Sequence, residues 1–186
     1  LAYSSLVENG DDTSYGVFLQ KYNSQGQEQW DSPINIVDAG FNDNLVKVII
    51  PNSTNGGVIV IYESASFMGV GLNAISISQS GEILSQSSIC DDCNNPQYES
   101  YAIGDNEFVV TYKTTSSSLS AGVFSQIFSF DGSILGGENG LVISDEINDQ
   151  RSSDITYNSV LDEYLVCWSD GRETYINDNG DDTVDL

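Results

Sequence analysis

Apolar and polar residues alternate with a period of two through much of this chain, in short runs broken by glycine, serine and asparagine. The plainest run is Gly122-Val123-Phe124-Ser125-Gln126-Ile127-Phe128-Ser129-Phe130-Asp131-Gly132. Period two sends successive side chains to opposite faces of a β-strand, and glycine accepts the positive φ of a tight turn without a Cβ penalty. The same design occurs at Gly16-Val17-Phe18-Leu19-Gln20-Lys21-Tyr22, which turns at Gly26, and at Gly71-Leu72-Asn73-Ala74-Ile75-Ser76-Ile77, which turns at Gly81. The opening glycines lie 55 and 51 residues apart, and so do the turn glycines. Such self-similarity is an internal repeat.

Around these anchors the pattern predicts strands at 45–50, 58–63, 71–77 and 87–89 in one unit, and at 98–103, 107–112, 122–130 and 141–143 in the next. Strands at 154–157 and 163–168 open a further unit, and Asn9-Gly10-Asp11-Asp12-Thr13 returns 170 residues later as Asn179-Gly180-Asp181-Asp182-Thr183. The division this implies is a partial repeat at 1–40 (the last three strands of a unit), full repeats at 41–94 and 95–148, and a partial repeat with an acidic tail at 149–186. Helical periodicity is lacking, so the fold class expected is all-β with almost no helix. Four short antiparallel strands per unit is the blade pattern of a β-propeller, with a two-layer sandwich as the competing fold. Ring closure takes about four to eight blades. A continuing chain, several copies completing a ring, or an open propeller-like array is therefore expected.

Each second strand of a unit ends on an aromatic residue: Tyr3, Tyr62, Tyr112 and Trp168, spaced 59, 50 and 56. One aromatic per repeat at one position is most simply a core layer between neighbouring sheets, with a sugar-stacking platform as the functional alternative. Runs such as Val58-Ile59-Val60-Ile61 and Phe108-Val109-Val110 are apolar on both strand faces. That suits sheets sandwiched between other sheets.

The run Asn9-Gly10-Asp11-Asp12-Thr13-Ser14-Tyr15-Gly16-Val17-Phe18-Leu19-Gln20-Lys21-Tyr22-Asn23-Ser24-Gln25-Gly26 resembles the tandem propeller-type repeats of large secreted and cell-surface proteins of bacteria and protists. The stretch from Gly122 to Gly132 is similar but lacks the acidic loop, and the Gly71 copy keeps only the glycines and the alternation. The resemblance implies an extracellular scaffold or adhesion module and carries no catalytic residues.

Charge narrows the partners. There are 28 acidic residues against five basic ones (Lys21, Lys47, Lys113, Arg151 and Arg172), no histidine, and a formal charge of −23. Nucleic acid and anionic lipid are poor partners for such a surface. Without histidine there is no Ser-His-Asp or Cys-His catalysis, and no apolar run approaches a membrane span. A chain that begins at Leu1 is expected to be a mature or excised segment.

Among candidate sites, Cys90-Asp91-Asp92-Cys93 is the sharpest. A short-range disulfide between Cys90 and Cys93 is expected, with free thiols or pairing to another molecule as alternatives. Cys167, beside Trp168 in an apolar strand, reads as a small buried core residue. The acidic loops make Asp11, Asp12, Asp178, Asp181 and Asp182 weak calcium candidates, because their aspartates are adjacent where a calcium loop spaces them alternately. Asn52-Ser53-Thr54 is a glycosylation sequon expected on an exposed turn. Carboxylate pairs suited to glycoside hydrolysis are available by abundance alone, which makes them uninformative.

The sequence therefore supports a non-catalytic extracellular structural or adhesive repeat protein, a subunit of a surface filament or coat, with no cofactor unless calcium. Its expected partners are its own copies or neighbouring repeats, and glycans. The alternative is a carbohydrate- or protein-binding propeller module; a carboxylate glycosidase is the third reading.

Overall fold

A computed structural model describes residues 1–9, 12–40, 42–66, 69–90, 95–114, 122–137, 140–145, 150–170, 175–176 and 182–183. These residues form strands and turns and no helix. The first sheet holds β1 (Ala2–Asn9), β2 (Asp12–Leu19) and β3 (Ile34–Val37). The second holds β4 (Asp43–Pro51), β5 (Val58–Ser66), β6 (Gly69–Ile77) and β7 (Ile83–Ser88). The third holds β8 (Gln97–Ile103), β9 (Glu107–Lys113), β10 (Val123–Ser129) and β11 (Leu141–Ser144). The fourth is the pair β12 (Gln150–Asn158) and β13 (Glu163–Asp170), and β14 (Tyr175–Ile176) pairs with β15 (Asp182–Thr183). Every pairing is antiparallel between neighbours in the chain.

The glycine-led strands β2, β6 and β10 are each next to last in their sheets. The turn that follows is the same three times. The amides of Gly26, Gly81 and Gly132 donate to the carbonyls of Asn23, Ser78 and Ser129 at 3.0, 3.0 and 2.9 Å, with glycine φ values of 76°, 92° and 90°. Positive φ explains why glycine recurs there. The opening glycine has a different cause. A Cβ on Gly122 would lie 2.8 Å from both the Ser144 carbonyl oxygen and the Phe124 ring, and one on Gly16 would lie 3.1 Å from the Val37 oxygen and 3.3 Å from the Phe18 ring. Both glycines make room where the last strand slips register, at Val17/Phe18 and at Val123/Phe124.

The core is three sheet–sheet interfaces. Val17, Leu19 and Ile36 of the first sheet meet Val60, Tyr62, Ile75 and Ile77 of the second. The opposite face of the second sheet, with Ile59, Ile61, Leu72 and Ala74, meets Phe108, Val110, Tyr112 and Phe128 of the third. The other face of the third sheet, with Ala102 and Val109, meets Ile155, Tyr157, Tyr164 and Val166 of the fourth. Alternate residues of β5 and β9 thus bury into different neighbours, which is why both strands are apolar throughout. Polar ties reinforce each interface: Asn44 Nδ2 donates to the Tyr15 and Asp38 carbonyls at 3.1 Å, Ser85 Oγ to the Asp131 carbonyl at 2.8 Å, and Ser153 Oγ bonds Thr111 Oγ1 at 3.1 Å.

The expected propeller arrangement is corrected here: the sheets do not close and are not arranged around a ring. No hydrophobic cluster among the described residues joins the fourth sheet to the first, so the stack is open. Cys167 is also corrected. It is an exposed free thiol, because no sheet among the described residues lies over its side of the fourth sheet.

Two glycines separate close approach from backbone conformation. A Cβ on Gly57 would fall 1.9 Å from the Ile77 carbonyl oxygen, whereas Gly26, at φ 76°, has nothing within 4 Å. In urea melts Gly57→Ala is expected to lose about 3 kcal/mol or more, and Gly26→Ala about 1–2 kcal/mol. Equal losses would refute the close approach of β5 and β6 at Gly57.

Candidate functional site

Tyr3, Tyr62 and Tyr112 stand opposite Phe18, Asn73 and Phe124 of the glycine-led strands. Tyr62 and Tyr112 are buried between sheets, and the Tyr62 hydroxyl accepts from Gln86 Nε2 at 2.6 Å. The row leaves the core at both ends: Tyr3 is half-buried and Trp168 is 39% exposed. Tyr112 and Phe124 stack at 5.8 Å and 20° against the second sheet. Tyr3 and Phe18 make the same pair at 5.9 Å and 19°, on the outer face of the first sheet. With Ser5 and Pro33 they line a cleft of about 170 Å³. Small-molecule pockets run to roughly 300–1,000 Å³, so this is a shallow platform. A second cleft, about 100 Å³, lies between the first and second sheets, lined by Leu19, Gln20, Trp30, Gly56, Val58 and Gln79.

Two polar side chains absent from the sequence-based candidates are built into the core. Gln126 is fully buried; its Nε2 donates to the Gly137 carbonyl at 2.6 Å and the Ile89 carbonyl at 3.3 Å, while its Oε1 accepts from the Ile127 amide at 3.0 Å. Gln20 repeats the arrangement, donating to the Trp30 carbonyl at 3.2 Å and accepting from the Lys21 amide at 3.0 Å. Each satisfies backbone groups that the following loop would otherwise leave unpaired in the interior. The signal in the sequence is a glutamine four residues after the opening glycine, present in two of the three copies.

Tyrosines and carboxylates gather where the third and fourth sheets meet. Tyr157 and Tyr164 pack at 5.0 Å, and the Tyr157 hydroxyl donates to Asp162 Oδ1 at 2.8 Å. That hydrogen bond, then burial, pushes Tyr157 up to about 12; burial, then Glu107, raises Tyr164 further. Both phenols are protonated at neutral pH, the wrong state for a base or nucleophile.

Of the sequence-based site residues, Cys90 is buried and disulfide-bonded, while Cys93 lies outside the described residues. Asp11, Asp178 and Asp181 also lie outside them, whereas Asp12 opens β2 and Asp182 opens β15. Among the described residues no group of three or more Cys, Asp or Glu side chains is placed to hold a metal ion. The exposed sequon is corrected. Asn52 is buried, its Nδ2 donates to the Phe130 carbonyl at 2.6 Å, and its Oδ1 accepts from Thr54 and Asn55 amides at 3.0 and 3.4 Å. The nitrogen that would carry a glycan ties the second sheet to the third.

No protein-family model matches the chain, and no curated protein matches it. Among solved structures it is similar to an endo-arabinase from Bacteroides thetaiotaomicron, at 7% identity and a TM-score of 0.44, over 90% of this chain and 65% of that one. The chain thus spans less than two thirds of that enzyme's length. The expectation that this protein is not an enzyme is corrected on that finding, since the matched structure is an enzyme, and "non-catalytic" is dropped. Likeness at this level transfers neither activity nor site residues.

The buried phenols set an alkaline limit. Burial pushes Tyr112 and Tyr98 up to about 12 and raises Tyr62 above the ordinary 10.0. A raised folded-state pKa means their contribution is fully present below pH 10 and is lost as pH rises from 10 toward 12. Tyrosinate absorbance is expected to rise together with loss of β-structure in that window; ionisation of all the tyrosines near pH 10 in an intact fold would contradict the burial.

Proposed function

We propose that this chain is an extracellular structural or adhesive repeat module, a subunit of a surface filament or coat. The observation that supports it most is the stack itself. Units with one turn geometry and one strand order pack face to face, and the aromatic pair that packs between the second and third sheets recurs on the outer face of the first. A disulfide-bonded Cys90 suits an oxidising compartment, and the charge of −23 suits a solvated exterior. Glycan binding is the second reading, favoured by the near-parallel, part-exposed Tyr3 and Phe18 rings beside Ser5.

Protease treatment of intact source cells tests the location. The proposal expects the chain to be cleaved and lost from the cell fraction while an internal marker protein survives. Full protection until the cells are lysed would overturn it.

A further inference from the structure

We propose that the outer face of the first sheet receives the outer face of the fourth sheet of a second copy of this chain, head to tail. This deepens the scaffold reading and rests on it. The argument is positional. In the third sheet, Tyr112 and its cross-strand partner Phe124 lie on the face covered by the second sheet. Tyr3 and its cross-strand partner Phe18 occupy the same places in the first sheet, with matching ring geometry, and no sheet among the described residues covers them. The chemistry that fits such a pair is already on display inside the molecule: a flat sheet face of small and branched side chains.

The fourth sheet offers a face of this kind at Thr156, Leu165 and Cys167, with the Asp154 carboxylate opposite Cys167. Its cross-strand pairs Thr156–Leu165 and Asp154–Cys167 stand where the third sheet has Ala102–Val109 and Ser100–Thr111. In the third sheet Ala102, Val109 and Thr111 are buried under the fourth. In the fourth sheet Thr156 and Cys167 are exposed and Leu165 is 70% exposed. One donor-like face and one acceptor-like face on opposite ends of the stack make a heterologous contact, which continues the internal interfaces and does not close on itself as a two-fold dimer. A charge of −23 on each copy opposes the contact, so added salt strengthens it.

Sedimentation over a concentration series in about 0.05 M and about 0.5 M NaCl tests this, with the screening length falling severalfold between them. The wild-type chain is expected to grow beyond a dimer, more readily at high salt. Tyr3→Glu and Leu165→Glu, each with an unchanged circular dichroism spectrum, are each expected to block growth by weakening the contact about tenfold or more. Mixed together, they are expected to form a 1:1 dimer and nothing larger, because each retains the face the other lost. Ser5→Glu, on the same face as Tyr3, guards against misfolding of the tyrosine variant. A monomer under both conditions overturns the proposal, as does a dimer abolished by Tyr3→Glu and untouched by Leu165→Glu. A monomer that binds an oligosaccharide in a Tyr3-dependent way overturns it in favour of glycan stacking. These failures are separable from failure of the scaffold reading, which the protease experiment decides by location alone.

Discussion

The structure depends on one constraint: a β-sheet that is apolar on both faces must be covered on both. β5 sends Ile59 and Ile61 toward the third sheet and Val60 and Tyr62 toward the first, all buried. β9 does the same with Phe108, Val110 and Tyr112 on one side and Val109 on the other. Leaving either face in water would cost roughly 25 cal/mol per Å² of apolar surface. The stack therefore stands or falls as neighbours, much as in other repeat architectures.

Repetition then follows from tolerances at a few backbone positions. The turn glycines supply a positive φ, and the opening glycines of the first and third sheets leave room for a neighbouring carbonyl and for the aromatic ring two residues on. Polar side chains seal what the strands leave open. Gln20 and Gln126 satisfy loop backbone from inside, and Asn44 and Asn52 bridge adjacent sheets from buried positions. The Lys47–Glu63 ion pair at 2.7 Å is partly exposed and contributes little by comparison.

Strand positions and turns were legible because alternation and glycine act within a few residues of each other. The two-faced burial of β5 and β9 was legible for the same reason, since Val58-Ile59-Val60-Ile61 leaves no polar face. Ring closure was not, because the angle between packed sheets depends on side-chain volumes across three interfaces and has no period in the chain. Asn52 read as exposed because a sequon after Pro51 looks like any surface turn, while its bond to Phe130 spans 78 residues. Cys167 reads as core because it sits in an apolar strand beside Trp168, yet no sheet among the described residues covers its outward face. The buried glutamines were visible only as a repeated offset, and an exposed glutamine would have the same spelling. The absence of histidine excludes particular mechanisms and leaves others, carboxylate chemistry among them.

The central claim is that stability is graded by how many faces of a sheet are covered. Residue-resolved hydrogen exchange of the native protein measures this directly. The account predicts that β5 and β9, covered on both faces, exchange slowest, with β1 and β13 opening at clearly lower free energy. Uniform protection across all four strands, or greatest protection in β13, would contradict it.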